Sequence, residues 1–516
     1  MAEFRVAAVF SNHMVLQRDK NINVFGQGQN GEKVTVKLGI TLVTTIVREE
    51  KWLIVLPPME AAKGYEMTVN CGAFEKKFIN IAIGEVWLAG GQSNMELELQ
   101  NSKDGPEILK SDKNPNVRFY YTQKNPIKDD SFYEAENNSS WSEFGEESAK
   151  CWSAVGYFFG KKLAAELNVT VGIIGCNWGG TSSSAWMSKE VLSKDEDLKT
   201  YLEEYDKAVE GIPIEQQIKE YDDYVIYQDV WAKKCDDLYK EEPDISWDEI
   251  QVRLGICKWP GPMNSKNPFR PAGLYECMLQ RVMPYSLKGF IYYQGESDDH
   301  KPRIYYKLLT ALISQWRNDW EDETLPFIMV QLPMHRYKQD EDFKNWPLIR
   351  EAQMRTYQTI KNTGIAVILD KGEFNEIHPK DKEPVGERLC LQALYQVYHM
   401  IKEEKVFGPL YRDIRFFEHS LELLFDYAEG GFVINENKAD SGIPLNQLGF
   451  EIAGADGRYV EAEAVINGSR IVISSKEIEQ PKSARYLWTN HDEVRLFGTN
   501  GIPLAPFRTS RGEDLG

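Results

Sequence analysis

The sequence predicts a central α/β domain, with a parallel sheet between two layers of helices, flanked by β-sandwich modules. Three observations lead to this fold class. Short runs alternate apolar and polar residues at the start, strand-like runs alternate with helical segments in the middle, and short alternating runs return at the end. Strands that alternate with helices are typical of a parallel sheet covered on both faces. The expected units are residues 1–80, 81–405 and 406–516.

Both flanking modules are expected to be antiparallel, because Gly, Asn and Pro separate their short strands. The runs of the first module are Asn23–Gly26, Lys33–Leu38, Leu42–Val47, Trp52–Leu56 and Tyr65–Val69. Those of the last module are Leu421–Tyr427, Gly431–Ile434, Tyr459–Ile466, Arg470–Ser474 and Ala484–Trp488. The first module carries no cluster of titratable groups, so its expected role is packing.

The middle of the chain supplies the strands and helices of the expected parallel sheet. The candidate strands are Glu85–Ala89, Thr170–Cys176, Lys288–Gln294, Pro326–Leu332 and Gly364–Asp370. The candidate helices are Glu147–Leu167, Arg303–Trp320, Trp346–Lys361 and Pro384–Ile401. A charged, Tyr-rich segment at about residues 188–247 is expected to be an inserted helical hairpin, either simply solvated or acting as a lid.

Composition narrows the classes of partner and cofactor. The net charge of −19 disfavours nucleic acid and anionic membranes as partners, because phosphate binding needs clustered Lys and Arg. No apolar run approaches the roughly 20 residues of a membrane span, and no signal pattern opens the chain, so the expected location of the chain as given is cytoplasmic. The seven cysteines are scattered without C-x-x-C spacing, which argues against a disulfide framework and a structural zinc site. The sequence leaves a homo-oligomer open.

One stretch, Gly84–Met95, ends an apolar run in two glycines and then presents Gln92, Ser93 and Asn94 before a helix-like segment. A strand followed by a Gly-rich turn and a helix start places a side chain at the carboxyl edge of a parallel sheet, where open α/β folds bind their ligands. Ser93 is therefore a candidate acyl-transfer nucleophile. The alternative is that Ser93 merely caps a helix.

Three further turns follow candidate strands and carry unusual polar residues. They are Cys176–Ser182, Tyr292–Asp298 and Asp370–Pro379. The carboxyl ends of parallel strands meet at one edge, so these turns are expected to share a cleft with Ser93. A hydroxyl nucleophile needs a base, and His378 is the candidate because histidine titrates near neutrality. His300 and His335 also lie close to strand ends.

These residues resemble the motif blocks of the sialate O-acetylesterase group of SGNH (GDSL-like) hydrolases. The matching blocks are Gly91–Met95, Trp178–Thr181, Tyr293–Ser297, Ile377–Pro379, Phe10–Ser11, Met14–Arg18, Gly449–Ala453 and Gly501–Arg508, and they span nearly the whole chain. The resemblance implies an SGNH-type three-layer α/β/α domain with jelly-roll-like β-sandwich modules. It also implies a serine esterase that removes O-acetyl groups from sugars without a metal or other cofactor.

The resemblance assigns roles to particular residues. Ser93 is the implied nucleophile, and His378 is the implied general base, which then acts as general acid to the leaving sugar oxygen. The implied oxyanion hole consists of the backbone N–H of Ser93, a backbone N–H in the Gly179-Gly180 turn and the side-chain amide of Gln294. Gln294 stands where many members of the superfamily have Asn.

The acid partner of His378 is left open by the sequence. The usual Asp three residues before the His is Asn375 here, and an amide cannot stabilise an imidazolium as a carboxylate does. Glu376 and Asp370 are the candidates, and a Ser-His dyad is the alternative. Glu296 is a further carboxylate that could hold the His or the oxyanion hole.

Candidate sugar-binding residues are aromatic side chains, which bury sugar C–H surfaces, and polar side chains near the nucleophile. They are Gln92, Asn94, Trp178, Trp186, Trp259, Phe269, Arg270, Pro271 and Glu296. The expected substrate is an acetylated sialic acid or, alternatively, an acetylated xylan or mannan fragment. A non-catalytic sugar-binding protein with this fold is the other hypothesis, against which the intact Ser93 and His378 argue.

Overall fold

The first eight strands form one small sheet and the beginning of a much larger one. The computed structural model describes residues 3–113, 116–129, 132–242, 245–435 and 447–510. The strands are β1 (Arg5–Val6), β2 (Val15–Gln17), β3 (Ile22–Gln27), β4 (Lys33–Leu38), β5 (Thr41–Ile46), β6 (Lys51–Leu56), β7 (Ala62–Cys71) and β8 (Phe74–Gly91). The small sheet has the order β1-β3-β6, whereas β5, β4, β7 and β8 pair antiparallel in that order. In β6, buried Trp52, Ile54 and Leu56 alternate with exposed neighbours, so one face of the small sheet packs on the core.

The strand β8 joins the first module to the centre of the molecule. It is 18 residues long, pairs antiparallel with β7 in its first part, and continues into the parallel sheet. The boundary expected near residue 80 therefore falls inside one continuous strand. The division of the chain into three domains stays a prediction.

Six more strands complete the large sheet. They are β9 (Val117–Tyr121), β10 (Ser142–Glu143), β11 (Val171–Asn177), β12 (Gly289–Tyr293), β13 (Phe327–Gln331) and β14 (Thr363–Val367). The order is β10-β9-β11-β8-β12-β13-β14, and all neighbours are parallel except β10 with β9. After β8 the chain builds β9 and β11 on one side and then crosses to build β12, β13 and β14 on the other. The strand order reverses beside β8, and this switch point is where open α/β sheets bind ligands.

Helices contact both faces of this sheet. The helices are α1 (Ser93–Glu96), α2 (Gly105–Ser111), α3 (Phe132–Asn137), α4 (Ala154–Leu167), α5 (Lys189–Leu192), α6 (Glu196–Val209), α7 (Ile214–Glu241), α8 (Trp247–Leu254), α9 (Gln280–Val282), α10 (Tyr305–Asp319), α11 (Asn345–Thr359) and α12 (Glu383–Gln396). Trp87 of β8 packs against Phe159 of α4, with ring centroids 5.2 Å apart. Gly90 lies against Trp316 of α10, which a Cβ on Gly90 would approach to 2.8 Å. Because side chains alternate along a strand, these two contacts lie on opposite faces.

The expected elements of the middle region are present, with two differences. The helix expected from Glu147 begins at Ala154, because the Ser153 hydroxyl caps it by accepting the backbone N–H of Gly156 at 2.9 Å. The strand β9 was not expected, although its aromatic and β-branched residues favour a strand.

The segment expected to be inserted, about residues 188–247, is helical and contains α5, α6 and α7, while α8 extends beyond it to Leu254. The helix α7 is 28 residues long and shares a small separate core with α8, made of Trp231, Cys235 and Ile250. Whether this hairpin acts as a lid stays a prediction.

The last part of the chain forms further antiparallel sheets around a core of its own. Its strands are β15 (Leu410–Phe416), β16 (Leu421–Asp426), β17 (Phe432–Ile434), β18 (Phe450–Ala453), β19 (Tyr459–Glu461), β20 (Glu463–Asn467), β21 (Arg470–Ser474), β22 (Ser483–Tyr486), β23 (Leu496–Gly498) and β24 (Phe507–Arg508). It meets α11 through Arg350, whose buried guanidinium donates to the carbonyl oxygens of Thr489 and Asn490. The fold is thus a mixed α/β arrangement with one large mixed sheet and several further sheets. No helix in the described ranges is long and apolar enough to cross a membrane.

Candidate active site

Backbone hydrogen bonds fasten three of the four predicted turns to one another. The N–H of Gln92 donates to the carbonyl oxygen of Tyr293 at 3.1 Å, and the N–H of Trp178 donates to that of Gly91 at 3.2 Å. Gly91 has φ of +134°, and a Cβ there would lie 2.1 Å from the Tyr293 carbonyl oxygen. Only glycine fits this position, which sets the direction in which the chain leaves β8 before Ser93.

The fourth turn is attached through Asn94, the residue after the predicted nucleophile. Its side-chain Nδ2 donates to the carbonyl oxygen of Ile377 at 2.9 Å. Ile377 directly precedes His378, so one side chain links the Ser93 turn to the His378 turn. The four turns therefore meet at the carboxyl edge of the sheet, as the sequence predicts.

Ser93 is the first residue of α1 and is partly exposed. No acceptor is found within the described ranges for the backbone N–H of Ser93 or of Gly180. Gly179 lies against Ser93, since a Cβ on Gly179 would be 3.2 Å from the Ser93 Cβ. Two unpaired backbone donors thus belong to the turns on either side of the Ser93 hydroxyl.

Two expected oxyanion donors are already used in this structure. The backbone N–H of Gly179 donates to Glu96 Oε2 at 2.5 Å, and the Glu96 carboxylate is also paired with Lys124. The side-chain Nε2 of Gln294 donates to Asp298 Oδ2 at 2.7 Å and to the carbonyl oxygen of Thr181 at 3.2 Å. Both amide hydrogens of Gln294 and the N–H of Gly179 are therefore occupied in this conformation, and the expected role of these groups in the oxyanion hole stays a prediction.

Gln294 instead joins the second turn to the third. Its Oε1 accepts hydrogen bonds from the Ser183 hydroxyl at 2.6 Å and from the Tyr305 hydroxyl at 2.9 Å. Buried Asp298 reinforces the same junction by accepting from the Ser182 hydroxyl at 2.5 Å and from the Ser183 N–H at 2.9 Å. The network fixes the backbone next to Gly180, because every polar group in it has a partner.

His378 stands beside a single carboxylate, that of Glu376. The distance from His378 Nδ1 to Glu376 Oε1 is 3.9 Å, longer than a hydrogen bond, while the backbone N–H of His378 donates to the same oxygen at 2.7 Å. Burial lowers the pKa of His378, and the negative charges of Glu376 and Glu96 oppose that effect. The imidazole is thus neutral near pH 7, as a general base must be.

Asp370, the other candidate acid, is paired elsewhere. Arg388 of α12 holds both of its oxygens, with Nη1 to Oδ1 at 2.5 Å and Nη2 to Oδ2 at 3.0 Å. Asn375 adopts φ of +64°, and its Oδ1 accepts the backbone N–H of Lys338 at 3.1 Å. Asp370 thus anchors α12 to the segment after β14, and its candidate role as the acid partner of His378 stays a prediction.

We expect Glu376→Gln to lower kcat by about 10- to 100-fold, less than the roughly 10⁴-fold of a fully hydrogen-bonded triad acid, because the 3.9 Å contact supplies charge without a bond. Asp370→Asn is the matched control and should leave kcat unchanged while lowering the thermal midpoint, since Arg388 loses its partner. Steady-state hydrolysis of an aryl acetate and a thermal melt measure both. A large loss of kcat in Asp370→Asn alone would contradict this assignment.

The other two candidate histidines lie in different settings. His300 is exposed and packs edge-on against Tyr201. His335 is 4% exposed, with Nδ1 3.3 Å from the carbonyl oxygen of Glu373. Burial lowers the pKa of His335, and both its position and its aromatic neighbours favour a packing role.

Most of the expected sugar-binding side chains are occupied inside the protein. Gln92 Oε1 accepts the Ser297 N–H at 3.1 Å, and Glu296 Oε1 accepts from Asn94 at 2.6 Å. Arg270 is 7% exposed and donates to the carbonyl oxygen of Pro126 and to Glu276. Trp186 is fully buried, with Nε1 donating to Thr181 at 3.0 Å. The polar groups or surfaces of these residues are thus already used in this conformation, and their expected contact with sugar stays a prediction.

Aromatic side chains do border the Gly180 turn. A Cβ on Gly180 would lie 2.9 Å from the Phe269 ring and 3.1 Å from the Trp259 ring. Trp259 is 58% exposed and meets Phe269 edge to face, with centroids 5.7 Å apart. Trp178 is partly exposed, with Lys124 Nζ 5.8 Å from its ring. These three rings are placed to contact a bound sugar.

Sequence reasoning missed three residues of this region: Glu96, Asp298 and Lys382. Glu96 directly follows the block Gly91–Met95, and Asp298 ends the turn Tyr292–Asp298. The sequence therefore shows a carboxylate near each of these two turns. Lys382 lies four residues after His378 and looks like an ordinary surface lysine, but it is 1% exposed. No group of three or more His, Cys, Asp or Glu residues in the described part of the chain is arranged to hold a metal ion.

A solved structure resembles this chain over almost its whole length. It is described as a novel carbohydrate acetylesterase from Xanthomonas citri, is 26% identical, and covers 99% of this chain and 100% of its own with a TM-score of 0.77. Two named proteins are also similar. Mouse (Mus musculus) sialate O-acetylesterase is 27% identical over 77% of this chain and 74% of its own. The human (Homo sapiens) sialate O-acetylesterase is 26% identical over 81% of this chain and 75% of its own.

A family described as carbohydrate esterase, sialic acid-specific acetylesterase matches residues 83–224 and 259–389, more than half of the chain. The unmatched stretch between the two segments holds the second half of α7 and all of α8, whereas Ser93, Gly180, Gln294 and His378 fall inside the match. The chain therefore belongs to the sialic acid-specific acetylesterase family of carbohydrate esterases, and it is a carbohydrate O-acetylesterase.

Proposed function

We propose that this enzyme hydrolyses O-acetyl esters of sugars by an SGNH-type serine mechanism, with Ser93 as nucleophile and His378 as general base. The observation that carries the proposal is the junction at the switch point of the sheet. Asn94 ties the Ser93 turn to the His378 turn, and the backbone N–H groups of Ser93 and of Gly180, in the turn packed against Ser93, have no acceptor among the described residues.

In the first step Ser93 Oγ bonds to the acetyl carbonyl carbon while its proton passes to His378 Nε2, the ring nitrogen away from Glu376. The carbonyl oxygen becomes an oxyanion, which the N–H groups of Ser93 and Gly180 stabilise. The bond from carbon to the sugar oxygen then breaks, and His378 returns the proton to that oxygen.

In the second step water attacks the acetyl-Ser93 ester, giving its proton to His378. Collapse of the second oxyanion releases acetate, and the proton returns to Ser93 Oγ. Glu376 supplies a negative charge near Nδ1 that stabilises the imidazolium formed in each half-reaction. Glu96 must release the Gly179 N–H if that group is to join the oxyanion hole.

The sugar is proposed to lie against Trp178, Trp259 and Phe269. The family and the named relatives favour an acetylated sialic acid. One observation favours the alternative, a neutral acetylated plant oligosaccharide. Two cations close to the turns are paired with carboxylates, Lys124 with Glu96 and Arg270 with Glu276, which weakens their attraction for a sialic acid carboxylate.

Acetate release from a panel of O-acetylated sialic acids and acetylated xylo- and manno-oligosaccharides tests the substrate class. Because the site cations are paired, we expect kcat/KM for neutral oligosaccharides to be at least equal to that for the sialic acids. Trp259→Ala should raise KM for sugar esters but not for an aryl acetate, since an aryl acetate lacks the sugar that we propose packs on the exposed ring. Release from no acetylated sugar at all would overturn the proposal.

A further inference from the structure

A buried lysine lies beneath the junction of the turns. Lys382 occupies the N-cap position of α12 without forming a side-chain cap bond, is 1% exposed, and donates from Nζ to Asn94 Oδ1 at 2.5 Å. Its Nζ also lies 5.4 Å from the centre of the Tyr293 ring. Burying an amine is costly unless it has partners, so a lysine at this position needs an explanation beyond helix capping.

The side-chain nitrogen of Asn94 forms two further hydrogen bonds. Nδ2 donates one hydrogen to Glu296 Oε1 at 2.6 Å and the other to the Ile377 carbonyl oxygen at 2.9 Å. Lysine only donates, and a carbonyl oxygen only accepts, so the partners fix which end of the amide is oxygen and which is nitrogen. Asn94, itself 1% exposed, thus has a partner for every polar atom of its side chain.

The network connects three of the four turns through one side chain. Asn94 follows Ser93, Glu296 belongs to the turn after β12, and Ile377 precedes His378. Lys382 is the only contact that restrains the Oδ1 end among the described residues. Without it, the amide keeps only the two hydrogen bonds of Nδ2, and the buried Oδ1 is left without a partner, so the direction of the bond to the Ile377 carbonyl is held less firmly.

Burial shifts the pKa values of both charged groups that contact Asn94, Lys382 and Glu296. Burial lowers the pKa of Lys382 to about 7, against the opposing charges of Glu296, Glu373, Glu376 and Asp381. Burial also raises the pKa of Glu296, whose Oε2 has no partner in the described structure. For each group, the favourable interactions with its neighbours are smaller than the cost of removing its charge from water. Such a cost is expected where a protein keeps buried polar residues for function.

We propose that Lys382 is a positioning residue for catalysis: through Asn94 it holds the Ser93 turn and the His378 turn in register, without touching the substrate. This inference rests on the proposed roles of Ser93 and His378. A lysine that only supports the fold would affect stability, whereas a lysine that sets the distance between nucleophile and base affects the chemical step.

Lys382→Met, which keeps the length of the side chain and removes the amine, tests the proposal. We expect kcat to fall by about 10- to 100-fold with KM within about twofold of the wild type, because a small misplacement of reacting groups costs rate and not binding. The thermal midpoint should fall modestly, because Lys382→Met leaves Asn94 Oδ1 buried without a partner although the apolar side chain itself is cheaper to bury than an amine. A fluorophosphonate probe that counts reactive serines corrects kcat for misfolded protein.

Two variants complete the design. Lys380→Met, an exposed lysine in the same turn, is the matched control and should retain full kcat. Lys382→Gln is shorter but can still donate to Asn94 Oδ1, so its kcat should lie between those of the wild type and Lys382→Met. If Lys382→Met does not fold, the kcat of Lys382→Gln tests the proposal instead.

The outcomes separate this inference from the proposed function. Ser93→Ala is assayed beside the Lys382 variants. Full activity in Ser93→Ala would overturn the proposed function itself. An inactive Ser93→Ala together with an unchanged kcat in Lys382→Met would overturn only the role of Lys382. A lowered thermal midpoint with unchanged kcat per reactive serine would also overturn it, because that result describes a purely structural residue.

Discussion

Ser93→Ala is expected to lower kcat for acetate release by about 10⁴- to 10⁶-fold, as removal of the nucleophile does in other serine hydrolases. The Ser93 hydroxyl lies at the switch point of the sheet, next to a turn whose Gly180 N–H has no acceptor among the described residues, and it is the group that we propose accepts the acetyl group. Steady-state hydrolysis of an aryl acetate and of an acetylated oligosaccharide measures the loss.

The matched control for this variant is Ser297→Ala. Ser297 lies in the turn after β12, and its hydroxyl forms no hydrogen bond within the described ranges, so its removal should leave kcat unchanged. Retention of more than about a tenth of the wild-type kcat in Ser93→Ala would mean that another group attacks the ester.

His378→Asn is expected to lower kcat by about 10³- to 10⁶-fold, since it removes the proposed acceptor of the Ser93 proton. In the wild type, kcat/KM should rise with pH as the imidazole loses its proton, because only the neutral ring can accept the Ser93 proton. Burial lowers the pKa of His378, so this rise should be centred below the ordinary pKa of histidine, and activity should persist into mildly acidic solution.

Exposed His300 provides the control, and His300→Gln should show the wild-type rate and pH profile. A profile centred above the ordinary histidine pKa, or one that persists unchanged in His378→Asn, would show that a different group is the base.

The positions of Ser93 and His378 could be predicted because they depend on local patterns. Each follows a short apolar run and a turn, and parallel strands bring such turns together whatever the details of packing. The strand β8 shows the limit of the same reasoning. Its antiparallel and parallel parts look like separate strands in the sequence, but in the structure they are one continuous strand that pairs first with β7 and then with β11.

The partners of the polar side chains could not be predicted, because they depend on contacts between distant residues. Asp370 lies three residues beyond the end of β14, where the sequence suggests a candidate acid, yet Arg388, one turn into α12, takes both of its oxygens. Gln294 resembles an oxyanion donor, yet Asp298 and Thr181 use its hydrogens. Burial of Lys382 follows from how α12 packs beneath the turns, which no pattern in the sequence reveals.

The central claim is that an acetyl group passes through Ser93, and trapping that intermediate tests it most directly. Wild-type enzyme is mixed briefly with an aryl acetate, quenched in acid and analysed by peptide mass spectrometry. The account predicts one added acetyl group on the peptide that contains Ser93, absent in Ser93→Ala. An acetyl group on another residue, or rapid turnover with Ser93 never acetylated, would contradict the account.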